Sequence, residues 1–204
     1  MIEIQEEHRH LLFNEPIVSA ILNRLRQGLD SSLTYHSAAH TVDVLDQTLK
    51  LAAIDSVNSH STLLLAIAAA FHDAGFLEQR ADHEQISASM AAEAMRDDPR
   101  FAPKDIELVR AMIMDTQIRP DGPMHHCSTP LSPWLLDADL ANFGRADFFK
   151  QTDLVAKENH IEPEDALLSA IKLMDRHSWL SKAGIACFAE KKSENRQLLT
   201  LRLS

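Results

Sequence analysis

Glycine is scarce, at five residues in a chain of 204. A glycine-rich phosphate loop needs several at fixed spacing, and neither GxGxxG nor GxxxxGK occurs, so that mode of nucleotide binding is excluded. Cysteine is scarcer still. Cys127 and Cys187 lie far apart and form no CxxC pair, so there is no disulfide framework, and a reduced, cytoplasmic setting is expected. Long apolar runs are missing. The longest unbroken one, Leu63 to Phe71, is far below the roughly 20 residues of a spanning helix. The start of the chain carries Glu3, Glu6 and Glu7 in place of a basic segment followed by an apolar one, so no secretory signal is expected. Basic residues are outnumbered 30 to 20, for a formal charge of −10. That balance predicts no default affinity for nucleic acid or an anionic membrane. Runs of β-branched and aromatic residues with period two are also lacking, which removes the usual strand signal.

What is present is ordinary globular composition, 45% apolar and 25% charged, which rules against disorder, collagen and a coiled-coil rod. A chain of this size buries roughly 70% of its unfolded surface and needs no staple to fold. The apolar residues recur at helical spacing. Ile17, Ile21, Leu22 and Leu25 form one stripe, with Gly28 as a stop, and Val42, Leu45, Leu49, Ala52 and Ala53 form a second. Ser61 or Thr62 is placed to cap a third helix, apolar all round and therefore central, ended by Gly75. Further helices are predicted over 82–96, from Pro103, and over 134–143, 146–158 and 164–179, with a last one from about Lys182. Residues 119–133 hold four prolines, Gly122, His125, His126 and Cys127, and read as a long loop of the kind that forms lids or binding loops. The expectation is one all-α helical bundle over 1–204.

Eleven histidines are the informative excess. His36 and His40 are four apart at a helix start, where both rings can enter one pocket; they are a metal or active-site pair, or surface and capping residues. His72-Asp73 ends the most apolar helix. Buried there, imidazole and carboxylate are costly unless satisfied, as a metal ion would satisfy them; alternatively His72 interacts with the helix dipole. Of Asp137 and Asp139, one must face outward or find a partner, and Asp139 shares a side with Leu135 and Leu136 and is the better candidate to face inward. Together His36, His40, His72, Asp73 and Asp139 form a mixed nitrogen and oxygen set suited to Zn, Mn, Fe, Ni or Mg. Two such ions would clamp a phosphoryl group and acidify a water between them.

The order His…His-Asp…Asp in a helical chain resembles the HD superfamily of metal-dependent phosphohydrolases. Tyr35-His36-x-x-x-His40-x-x-Asp43-Val44 is similar to the signature of class I cyclic-nucleotide phosphodiesterases, with Ser37 where an Asn usually follows the first His. Ala138-Asp139-Leu140 matches the surroundings of their last metal-binding Asp. The resemblance covers about Tyr35 to Gly144. It implies an HD-type helical bundle in which His40, His72, Asp73 and Asp139 bind a first divalent ion. Asp73 would bridge to a second, so that the cofactor is one or two divalent ions. It further implies His36 as general acid and Asp43 as the carboxylate orienting a ligand ring. The implied activity is hydrolysis of a phosphate mono- or diester, of a nucleotide or related small molecule, by metal-activated hydroxide. The conserved Gln and the aromatic clamp of the phosphodiesterases have no counterpart placed here.

Ser87 occupies the second His position of an HExxH pattern, which removes a zinc-protease reading. His83 and Glu84 are candidates for a second-metal or substrate contact, or simply a solvated first helical turn. His125 and His126 could close over the site or be exposed loop residues. Arg80, Arg119 and Arg145 are phosphate partners or surface charges. The methionines 90, 95, 112 and 114 read as core filler. The rival to an enzyme is an inactive HD-type module that holds metal or nucleotide without turnover; a purely structural bundle would leave the buried polar set unexplained.

Overall fold

The computed structural model describes residues 9–203, so Glu3, Glu6 and Glu7 lie outside the described residues. Among the described residues the secondary structure is helical throughout, with no strand. After a short helical stretch at 9–13 come α1 (Pro16–Gly28), α2 (Ala38–Ile54), α3 (Ser59–Phe71), a 3-10 turn (Ala74–Leu77), α4 (His83–Arg96) and α5 (Pro103–Asp115). The chain continues through α6 (Ser132–Asp139), a second 3-10 turn (Ala141–Gly144), α7 (Phe148–Asn159), α8 (Pro163–Arg176) and α9 (Lys182–Arg202). The expected all-α bundle is what the chain forms.

The helix α3 is the axis. Leu64, Leu65, Ala66, Ile67, Ala68, Ala69 and Ala70 are all buried, as a helix apolar on every side requires. Each buried Leu or Ile there contributes roughly 1.5–3 kcal/mol. Around it pack α1, α2, α4, α5 and α6. Stretched through the following 3-10 turn, residues Ser59–Leu77 have the length and apolarity of a membrane span, but 78% of that window is buried within the fold. A smaller apolar cluster of Leu140, Phe143, Phe148, Ala170, Met174 and Leu199 joins α7, α8 and α9. Asn195 ties this part to the second 3-10 turn by donating to the carbonyls of Phe143 and Arg145 at 3.0 and 2.8 Å.

Several boundaries differ from the sequence expectation, each for a local reason. The third helix starts at Ser59 and is capped by Asn58, whose side chain accepts from Ser61 N at 3.0 Å, so neither Ser61 nor Thr62 is the cap. It ends at Phe71, before Gly75. Gly75 serves close approach instead: a Cβ there would collide with the backbone of His83. The 134–143 segment is a helix only to Asp139 and then tightens into 3-10. The 164–179 segment stops at Arg176, because His177 takes extended backbone and Ser181 caps the next helix. Of the expected loop 119–133, residues 119–131 form no helix while Ser132 and Pro133 open α6, and within the loop Met124 is buried and Arg119 N donates to Met124 O.

Candidate metal centre

Three helix ends meet at one point. The start of α2 brings His40, the end of α3 brings His72 and Asp73, and the end of α6 brings Asp139. His72 closes α3 by donating from Nδ1 to Ala69 O at 2.8 Å. That bond satisfies a terminal carbonyl and fixes the tautomer, so Nε2 is turned to the cluster. There it lies 3.2 Å from Asp73 Oδ2 and 3.5 Å from Asp139 Oδ1. His40 Nε2 lies 3.2 Å from Asp139 Oδ1 and 3.6 Å from Asp73 Oδ2. His40, His72 and Asp139 offer ligand atoms all within 4.8 Å of one another.

Two observations bear on whether a cation fits. His72 Nε2 and Asp73 Oδ2 are buried without a hydrogen-bond partner, an arrangement that costs free energy unless something satisfies both. The four separations, 3.2 to 3.6 Å, are also close to the edges of a coordination shell. A shell with metal–ligand bonds of about 2.0–2.2 Å has ligand–ligand edges of roughly 3.0–3.6 Å. The two imidazoles and the Asp139 carboxylate could hold a divalent ion, with Asp73 Oδ2 beside both imidazoles.

The electrostatics agree. Burial opposes ionisation of Asp73, but the adjacent His72 outweighs it and holds the carboxyl well below its usual range, with help from His83 and His36. Burial likewise opposes ionisation of Asp139, and the nearby His40 and His72 imidazoles reverse the shift downward. Burial pulls His72 down, and Asp73 and Asp139 then lift it well above an ordinary histidine. Both carboxylates are thus held anionic beside His72.

His36 is outside this cluster and is held differently. The helix α2 begins at Ala38 with Ser37 as its cap, the Ser37 side chain accepting from His40 N at 3.4 Å. His36 therefore precedes the helix, and the i, i+4 geometry of the sequence reading does not position it. Glu158, near the end of α7, does. Its Oε2 accepts from Tyr35 N and His36 N at 2.7 and 2.9 Å, and its Oε1 lies 2.5 Å from His36 Nδ1. Arg80 Nη2 adds a contact to Oε1 at 3.3 Å. The other nitrogen of His36 is left for the cavity that this residue lines. Burial lowers the His36 pKa, but the Glu158 bond and the charges of Asp73, Glu158 and Asp139 outweigh it, and the net shift is upward.

Aromatic packing fixes the rings. Tyr35 lies over His40 with centroids 4.7 Å apart, and Phe76 stacks on His36 at 4.6 Å and on His83 at 4.1 Å. His83 reaches Asp73 from the far side, Nε2 to Oδ1 at 3.5 Å, with Glu84 Oε2 at 3.6 Å from its Nδ1. Both line the same cavity as Asp73. Ser87 acts on the backbone: its Oγ accepts from Gly75 N at 2.8 Å and holds α4 against the turn that follows Asp73.

The remaining candidates fall elsewhere. Asp43, expected to orient a ligand ring, has its carboxylate against Arg145 at 2.7 and 2.8 Å. Arg145 is shared with Asp147 at 2.9 Å and lines a separate polar cleft of about 240 Å³ that also reaches His40 and Asp139. Asp137 is the acid that finds a partner: it accepts from Leu180 N, Ser181 N and Ser181 Oγ at 2.8, 2.8 and 2.6 Å and ties α6 to the start of α9. His125 Nδ1 donates to Asp115 O at 3.2 Å, and His126 is exposed, so neither closes over the centre.

Sequence reasoning missed Glu158 and Asn142. Asn142 lines both openings beside Asp139, with its Oδ1 buried and unpartnered. Glu158 could have been suspected only as a carboxylate needed by His36; nothing in its own surroundings marks it. No protein-family model matches the chain, and neither does any curated protein.

Proposed function

We propose that the chain is a divalent-metal-dependent phosphohydrolase acting on a phosphate ester, with a cytoplasmic site of action. The observation that carries the reading is the cluster of buried His72 and Asp73 with half-buried His40 and Asp139, which includes two buried polar atoms without partners. Those four residues would hold the first ion, and Asp73 Oδ1, which lies 3.5 Å from His83 Nε2, would share a second. Bound there, a divalent ion would supply Lewis acidity to a phosphoryl oxygen and lower the pKa of its water.

The protein's own part in the reaction falls to His36. It is held by Glu158 through Nδ1, and although burial opposes its charge, the Glu158 bond and the surrounding carboxylates raise its pKa, which favours a proton on Nε2. That is the proton a departing alcohol oxygen requires. Phe76 and Tyr35 keep the imidazole from turning away. In the hydrolysis a water oxygen joins phosphorus and gives up a proton to solvent, the P–O bond to the alcohol breaks, the alcohol oxygen leaves with the bonding pair and takes the His36 proton, and solvent returns a proton to His36.

The test is hydrolysis of aryl phosphate, alkyl phosphates and nucleotides with Mn²⁺ or Mg²⁺, comparing wild type with Asp73→Ala. Metal-dependent turnover lost in the variant supports the reading. Equal residual rates in both proteins would remove it. Tight binding of metal and phosphate with no turnover across the panel would favour the inactive module.

A further inference from the structure

The cavity that opens on His36, Asp73 and His83 continues well past them. Its volume is about 500 Å³, and it runs between the end of α5 and the helices α7 and α8. Ala166, Ala170 and Leu173 line it from one face of α8, spaced four and then three apart, and Val155 and Ile161 complete that wall. Leu140 and Phe143 join it from the segment after Asp139. The small side chains at 166 and 170 create the room.

Two polar side chains of this wall are already committed, Asn142 Oδ1 beside Asp139 is the buried polar atom left without a partner, and Gln117 and Ser169 are exposed. Thr116 Oγ1 donates to Ile113 O at 2.7 Å, and Thr152 Oγ1 donates to Phe148 O at 3.0 Å. A nucleobase brings several edge atoms that need partners, and each one buried without a partner is costly. Among the described residues Phe143 is the only aromatic ring of this wall, and its edge-on contacts are with Phe148 and His177. A hydrocarbon chain asks for no such partners and gains by burial.

We infer that this chamber receives an aliphatic alcohol portion, so that the substrate class is a phosphate ester of an alkyl or alkenyl alcohol and not a nucleotide. The inference rests on the phosphohydrolase reading for the placement of the phosphate at the polar end. With the phosphate there, the ester oxygen lies beside His36 and the chain enters the apolar part.

Two measurements on the full chain test it. The first is kcat/KM for methyl, butyl and hexyl phosphate against adenosine monophosphate and cyclic adenosine monophosphate, with Mn²⁺ present. The expected result is a rise of about fourfold per added methylene, with hexyl phosphate above both nucleotides. The second is calorimetric binding of methyl- and hexylphosphonate, which needs no turnover; hexylphosphonate is expected to bind tighter. Ala170→Leu fills the chamber and Val155→Thr makes it polar at constant volume, and each should flatten the chain-length series. Should Ala170→Leu fail to fold, Val155→Thr carries the test alone. Turnover that ignores chain length, or that favours a nucleotide, overturns the inference and leaves the phosphohydrolase reading intact. No turnover with tighter hexylphosphonate binding overturns the enzyme and keeps the chamber. No turnover and equal phosphonate binding overturns both.

Discussion

Glu158 and His36 are 122 positions apart in the chain, yet one carboxylate oxygen lies 2.5 Å from His36 Nδ1 while the other accepts the backbone N–H of both Tyr35 and His36. The carboxylate fixes the position of His36 as well as its charge. Replacing it by an amide removes the charge and leaves much of the shape. In Glu158→Gln the His36 pKa should fall, because the carboxylate was among the groups raising it. The alkaline limb of the kcat profile, where the acid is lost, should then move to lower pH. A limb that stays in place would show that the Glu158 carboxylate does not tune the acid. In His36→Ala, kcat should drop by about 10²–10⁴-fold with metal content retained, and loss of metal would mean that His36 is a ligand.

Asp73 and Asp139 are the anionic half of the cluster around His72. Elemental analysis of purified wild type, resupplied with divalent ions, should find bound metal, and Asp73→Ala and Asp139→Ala should lose it. Thermal unfolding gives a second readout: added Mn²⁺ or Zn²⁺ should raise Tm of wild type, since a ligand of the native state alone stabilises it, and should leave Asp139→Ala unmoved. A wild-type chain that takes up no metal under these conditions would end the metal reading.

Gly75 lets the backbone of His83 come against the turn after Asp73. A methyl group at 75 meets backbone, which cannot rotate away. Gly75→Ala should destabilise the fold by about 1–3 kcal/mol, lowering Tm by about 2–4 °C per kcal/mol for a chain of this size. It should also weaken metal retention, because His83 and Asp73 are displaced together. Ala74→Gly, one residue earlier, supplies the control for backbone flexibility. An unchanged Tm for Gly75→Ala would refute the close-packing account.

His177 gives a pH signature away from the centre. Burial, together with the positive charges of Lys192 and His125, pushes its pKa down to about 3, and its ring packs edge-on against Phe143 and Trp179. Between about pH 6.5 and 3 the unfolded chain binds this proton and the folded one does not. Stability from this group is therefore full above pH 6.5 and falls on acidification, by up to about 1.4 kcal/mol per pH unit. Urea unfolding of the metal-free protein should show wild type losing ground to His177→Phe as pH falls from 6.5 to 5. Parallel pH curves for the two proteins would contradict it.

Much of the cluster was legible because its residues sit where helices begin and end. His72-Asp73 follows the most apolar stretch of the chain, and Asp139, favoured by its spacing from Leu135 and Leu136, does reach His40, although Asp137 is the more deeply buried of the two acids. The hold on His36 was not legible. Glu158 lies in a Lys-Glu-Asn helix end that reads as surface, and only the packing of α7 onto the segment before α2 buries it. The role of Ser37 was hidden for a related reason: a serine before two alanines and a histidine is equally a loop residue or a cap, and the cap is what moved His36 out of the helix. Asp43 shows the converse. The resemblance implied a ring contact for it, but Arg145, 102 positions later, pairs with the carboxylate, and pairings over that distance leave no trace in local sequence.

The groups that would grip a cation come from residues 40–139, and the group that orients the proton donor comes from residue 158. On the proposed reading, capture and turnover would be carried by separable stretches of chain. Damage confined to α7 would then leave a protein that still sequesters metal but cannot release an alcohol, whereas damage at the end of α3 would abolish both together.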